Sequence, residues 1–254
     1  MRAIIFIVVA ISSIPLSAQH MADAYYEQAE MEEAREILRK HHGGQANYLL
    51  MADRSEYQSN SGKPLYVWEA QGWYGYDENK FWLKTEGEYE FDGSELEEME
   101  IQGLYSRAIS SFWDIQAGIR HDVTPNPSRS YAVIGVQGLA PYWFEIDTAA
   151  FVSDKGDVSF RLEAEYELRL QQRLLLQPRV EMNVSLSNDK AIGIGSGLSG
   201  LEAGVRIRYE ISREFAPYLG VNWKRAFGTS ADILEFRGDS NNDISFIAGL
   251  RLWY

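Results

Sequence analysis

Between Arg161 and Arg169 every second residue is charged: Arg161, Glu163, Glu165, Glu167 and Arg169 alternate with Leu162, Ala164, Tyr166 and Leu168. The wider stretch, FRLEAEYELRLQQRLLLQPRVEMNV (160–184), has the composition of a helix, rich in Glu, Leu and Arg and without glycine. The spacing overrules the composition. On a helix, steps of two residues advance ~200° each and would scatter these charges over two opposed faces. On a strand they share one face and leave the other apolar. The same alternation sets Lys80, Lys84, Glu86 and Glu88 against Phe81, Leu83 and Tyr89. It sets Asp114, Gln116 and Arg120 against Ile115, Ala117 and Ile119, and Glu202, Arg206, Arg208 and Glu210 against Leu201, Ala203, Val205, Ile207 and Tyr209. Twelve strands are predicted, at 48–57, 64–74, 80–91, 95–107, 112–121, 130–138, 142–152, 158–169, 172–185, 199–210, 214–225 and 244–254.

The links between them carry a second regularity. QSNSGKP, DVTPNPSR, SNDKAIGIG and FGTSADILEFRGDSNND are long and polar, while GYDE, GLAP and LQQR are short. Long and short links mostly alternate, although DGSE and SDKGD are brief at long-loop positions. An even number of dyad-patterned strands with this alternation is the pattern of an antiparallel transmembrane β-barrel. A soluble β-sandwich also alternates, but its inner face is a packed core, where unpaired ions are costly. Here one face is charged and the other almost free of charge. Aromatics cluster near strand ends, in FWDI, APYWFE and GWYG, as interfacial girdles do. The last strand, SFIAGLRLWY, puts Phe246, Ala248, Leu250, Leu252 and Tyr254 on one face. The charged face then lines the lumen, where Arg161, Glu163, Arg169, Arg179, Glu181, Arg206 and Glu210 are expected to form a lattice of opposite charges. Such a lattice largely fills a barrel of this modest size.

Before residue 47 the pattern differs. Arg2, the apolar run Ala3–Ile11 and the small residues before Gln19 read as a secretory signal peptide, residues 1–18. The run is shorter than the ~20 residues of a membrane-spanning helix. Residues 19–46 form an arm with a helix over Ala22–Lys40, stopped by Gly43 and Gly44, and residues 47–254 form the barrel. The arm is expected in the periplasm and the barrel in the outer membrane of a Gram-negative cell. There is no cysteine, so neither disulfides nor thiolate chemistry is available, and the net charge of −13 disfavours a nucleic-acid partner.

Candidate chemistry is thin. There is no G-x-S-x-G elbow or phosphate-binding G-x-x-x-x-G-K, and GIGSG at 193–197 reads as a loop using glycine conformations. His121 with Asp122 or Asp114 lacks a recognisable nucleophile, so no catalytic residues are expected. The carboxylate pairs Glu98 with Glu100 and Glu163 with Glu165 read as lumen lining. Imidazole and thioether donors gather near the start of the mature chain: His20, Met21, Met31, His41 and His42, with Met51 opening the first strand. These donor types suit copper, thioether favouring Cu(I). The alternative for the His41–His42 pair is a helix C-terminus, where the dipole favours cations.

GWYGYDENKFWLKTEGE, LYSRAISSFWDIQAGIRHD, GVQGLAPYWFEIDTAAFVS and REFAPYLGVNWKRAFG closely resemble the copper resistance protein B family of outer-membrane proteins. The resemblance runs from Asn47 to Tyr254. It implies copper-ion binding or export in copper tolerance, with copper ions, outer-membrane lipid and a periplasmic copper carrier as partners. No organic cofactor and no partner subunit are expected. One departure is that family members often carry long arms rich in Met and His, whereas this arm is mainly Glu and Ala. A narrow general pore or structural barrel without metal specificity therefore stays open as the alternative.

Overall fold

A computed structural model describes residues 25–38, 40–41, 45–59 and 63–254, in two units, residues 1–45 and 46–254. In the first unit, α1 (Gln28–Leu38) carries Glu30 in its first turn and Arg35 in its last, the signs the helix dipole favours. None of its residues is buried.

The second unit is a closed antiparallel β-barrel of twelve strands. They are β1 (Asn47–Ser59), β2 (Leu65–Gly75), β3 (Asn79–Glu90), β4 (Glu95–Ser110), β5 (Trp113–Thr124) and β6 (Arg129–Ala140). Next come β7 (Phe144–Ser153), β8 (Val158–Tyr166, resuming past Glu167 as Leu168–Arg169) and β9 (Leu174–Ser185). Then follow β10 (Gly197–Tyr209), β11 (Phe215–Ala226) and β12 (Asn242–Trp253). Each strand pairs with its sequence neighbours, and β12 returns to β1, with Ala248 opposite Tyr57. Closure leaves no edge of unpaired N–H and C=O groups, which lipid could not solvate. The predicted strands match this set, to within a few residues at their ends.

The alternation sorts the side chains as the sequence requires. Ile119, Leu219 and Phe246 point outward and are strongly exposed on the isolated barrel, while Arg179, Arg206 and Arg208 point inward and are buried. One end of the barrel holds the start of β1 and the end of β12 and has the tighter links; this is the terminal end. An aromatic rim marks it, with Tyr48 and Tyr254 ring centroids 6.1 Å apart and Trp253 Nε1 donating to Arg213 O at 2.6 Å. The opposite, loop end carries the two longest connections, residues 186–196 and 227–241.

Two local features escaped the alternation. A bulge between Ala52 and Arg54 shifts the pairing of β1 with β2, so that Asp53 and Arg54, adjacent in sequence, both line the lumen. The 227–241 connection holds a helix, α2 (Gly228–Arg237), ended by Gly238 at φ 87°. The Gly238 and Asp239 amides then donate to Glu235 O and Leu234 O, satisfying the last turn.

Candidate functional site: a charged lumen

The sheet register places acidic residues directly opposite one another on neighbouring strands. On one wall Glu69 faces Glu86, Glu86 faces Glu100 and Glu100 faces Asp122, across β2, β3, β4 and β5. On the other wall Asp147 faces Glu163, Glu163 faces Glu181 and Glu181 faces Glu202, across β7, β8, β9 and β10. Like charges directly opposite are destabilising by themselves. Guanidinium groups reaching in from other positions offset the repulsion.

Arg179 meets four carboxylates: Glu163 at 2.8 Å, Glu181 at 3.0 Å, Glu69 at 3.4 Å and Glu202 at 3.5 Å. Glu69 lies on β2, so this arginine of β9 spans the lumen. Arg161 on β8 does the same, bonding Glu86 on β3 and reaching Glu100 on β4 at 3.0 Å. Arg54 bridges Glu56 at 2.7 Å and Glu202 at 3.1 Å. Arg120 holds Glu100 and Asp122, both at 2.6 Å, with its guanidinium 4.8 Å from the Phe151 ring centre. Lys84 pairs with Asp147 at 2.6 Å. Every carboxylate of the two rows thus has a cationic partner, and side chains from opposite walls meet at mid-lumen. Truncating Arg161 and Arg179 together to alanine is expected to raise single-channel conductance several-fold in planar bilayers. Unchanged conductance would show that these side chains are not the barrier.

A cavity of ≈ 360 Å³ runs along this lattice, bounded by Arg161, Arg179 and Glu100, toward the terminal end, where Met51, Asp53, Glu145 and Arg251 line it. Glu145 and Glu165 are directly opposite in the β7–β8 register. Among the described residues neither has a cation within 4.0 Å, and Glu165 accepts instead from Gln177. Arg251 bridges Asp53 at 3.2 Å and Glu167 at 2.6 Å, and donates to Met51 Sδ at 3.6 Å.

Of the candidate ligands, Met51 faces this cavity, while Met31 lies on α1 and His41 is exposed at the end of the arm. His20, Met21 and His42 fall outside the described residues. Among the described residues no group of three or more His, Asp or Glu is arranged to hold a metal ion. His121 points outward, Nδ1 2.9 Å from Ser130 Oγ, on the opposite face of β5 from Asp114 and Asp122. The expected lattice holds for Arg161, Glu163, Arg179, Glu181 and Arg206, but not for Arg169. That residue sits at the terminal rim, exposed, donating to Gln172 O at 3.5 Å. Glu210 stands 3.9 Å from Arg208. Sequence reasoning missed the bulged pair Asp53 and Arg54, and missed Glu56, the most deeply buried carboxylate. The long polar side chains at every second position of RSEYQ signal that Arg54, Glu56 and Gln58 share a face.

The family model described as copper resistance protein B precursor (CopB) matches residues 46–254. Copper resistance protein B of Escherichia coli is 40% identical over 213 residues, covering 84% of this chain and 71% of that protein. A copper resistance protein B homolog of Pseudomonas syringae pv. tomato is 40% identical over 214 residues, covering 84% and 72%. Among solved structures, the NanC porin superposes with TM-score 0.53 at 10% identity, covering 81% of this chain and 99% of the porin. The KdgM porin gives 0.50 at 8% identity, covering 80% and 98%. These two likenesses establish the outer-membrane barrel fold alone. On the strength of the match along the whole barrel, the chain belongs to the copper resistance protein B family.

Proposed function

We propose that this barrel acts in copper resistance at the outer membrane, with copper ions as the cargo that its lumen binds or passes. The observation that carries this reading is the family match over residues 46–254, with 40% identity to proteins named for copper resistance. The chemistry of the lumen supports it. Carboxylate rows attract cations, and among the described residues Glu145 and Glu165 add to the cavity two carboxyl groups with no cation within 4.0 Å. Met51 adds a thioether beside Asp53, a donor suited to Cu(I). In this reading the arm lies in the periplasm and His20, Met21, Met31, His41 and His42 receive copper there, from a periplasmic carrier. The protein works as a monomer, with no organic cofactor and no catalytic step.

Cells lacking the protein are expected to tolerate less copper and to hold an altered periplasmic copper content. If both stay unchanged, the reading is wrong. In purified protein, replacing the five arm donors together is expected to weaken copper binding several-fold by titration. An unchanged titration would take the arm out of the mechanism and leave the lumen. A general pore is the second reading, favoured by the scarcity of soft donors in the arm. It predicts bilayer conductance indifferent to copper.

A further inference from the structure

The loop end of the barrel is covered unevenly. On β5, β6, β7 and β9 inward residues close to that end, Asp122, Arg129, Ser153 and Ser185, are buried. Residues 186–196 lie over them. Asp189 accepts from Arg129 Nε at 2.9 Å, Ser187 Oγ donates to Asp157 at 2.6 Å, and Gly195 N donates to Ser230 Oγ on α2 at 2.8 Å. A side chain at Gly195 would meet Thr229 Cβ at 2.5 Å, so loop and helix pack as one cover.

The sector facing β3 and β4 differs. Glu88 and Glu98 are directly opposite in register, and Glu98 is exposed. The sequence around them, EGEYEFDGSELEEME, is the most acidic stretch of the barrel and contains no base. Into this sector Lys224 reaches from β11, its Nζ 2.6 Å from Glu88 Oε1 and its side chain 48% exposed. Lys224 is itself directly opposite Glu202, the end of one carboxylate row. The acidic mouth therefore leads to the acidic lattice; among the described residues Lys63 pairs with Glu90 at 3.4 Å on the rim, and Lys224 stands between mouth and lattice. Lys224 is held differently from the arginines below it. Each of those is buried or nearly so and held in a planar fork, most by several carboxylates. Among the described residues Lys224 is a point charge on a flexible stem in a single, half-exposed ion pair, a kind of contact that water and salt weaken.

We propose that Lys224 is a tethered countercharge at the loop-end entrance and sets which ions the lumen admits there. Its ammonium cancels part of the field of Glu88 and Glu98, and so holds down the cation preference of the mouth. This deepens the reading of the lumen as an ion path and rests on it. The test uses the full-length protein in planar bilayers under a tenfold KCl gradient. Lys224→Gln is expected to raise the K⁺ over Cl⁻ permeability ratio at least threefold. Lys224→Glu should raise it further, and Lys224→Arg should leave it unchanged. Identical reversal potentials in all four proteins overturn the proposal.

A second measurement requires no conduction. Because the chain lacks cysteine, Glu98→Cys provides a unique thiol at the entrance. The ratio of its modification rates by cationic and anionic methanethiosulfonates is expected to rise at least threefold when Lys224→Gln is added. An unchanged ratio overturns the proposal. Copper tolerance separates the two levels. If Lys224→Gln shifts selectivity in cells whose tolerance never depended on the protein, the entrance stands and the copper reading falls. If deletion abolishes tolerance while Lys224→Gln alters neither ratio, the copper reading stands and this inference falls.

Discussion

Glu56→Ala is expected to destabilise the barrel by about 3–5 kcal/mol, the cost of leaving a buried charge without its partner. The Glu56 side chain has no exposed surface. It accepts from Arg54 Nε at 2.7 Å, from Arg206 Nη2 at 2.8 Å and Nε at 3.1 Å, and from Gln58 Nε2 at 3.2 Å. Arg54 keeps Glu202 and Glu69 after the substitution, but Glu56 is the carboxylate that holds Arg206. The loss therefore falls mainly on one buried guanidinium. A second substitution, Arg206→Met, is expected to recover a large part of the lost stability, because removing both charges leaves nothing uncompensated. Urea titrations of protein folded into lipid vesicles would measure both. If Glu56→Ala costs under 1 kcal/mol, water reaches the site and the lattice is not a packed element.

Leu219→Arg probes the other face. Leu219 lies midway along β11, between Ile207 of β10 and Ala248 of β12, and is 67% exposed on the isolated barrel. If lipid covers that surface, the charge meets hydrocarbon and costs about 2–4 kcal/mol. Leu252→Arg, on the same outward face but near the terminal rim, is expected to cost about 0–1 kcal/mol. Depth is the variable that separates the two. In the same folding assay, equal costs at both positions would contradict the assigned membrane crossing. A lumen-facing arginine such as Arg179 escapes this penalty because carboxylates surround it, so one residue type is stabilised inside and costly outside.

Strand existence and the side each residue faces were legible in the sequence because both follow from a local period of two. Arg161, Glu163 and Glu165 could be assigned to one face without knowing any other strand. Family membership was legible too, since whole strands and turns match in order. The candidate arm residues His20, Met21 and His42 lie outside the described residues, so for them the sequence reading stands alone. Helix α2 was missed because a connection of polar and apolar residues without clear period gives no signal until its neighbours pack on it. The β1 bulge was missed for a related reason: one extra residue changes the phase, and only the partner strands show where.

What only the tertiary structure decided is which charges meet. Alternation puts Arg179 in the lumen but cannot say that it reaches Glu69, seven strands earlier, or that Lys224 reaches Glu88. Those contacts depend on strand number, tilt and register, which bring distant walls of a closed barrel within a side chain's length. The same geometry excluded Arg169, whose place in the pattern matched its neighbours but whose height put it at the rim, in water. Local pattern determined the strands and their two faces. Closure determined the lattice, because an ion pair across a lumen is a property of the ring and of no single strand.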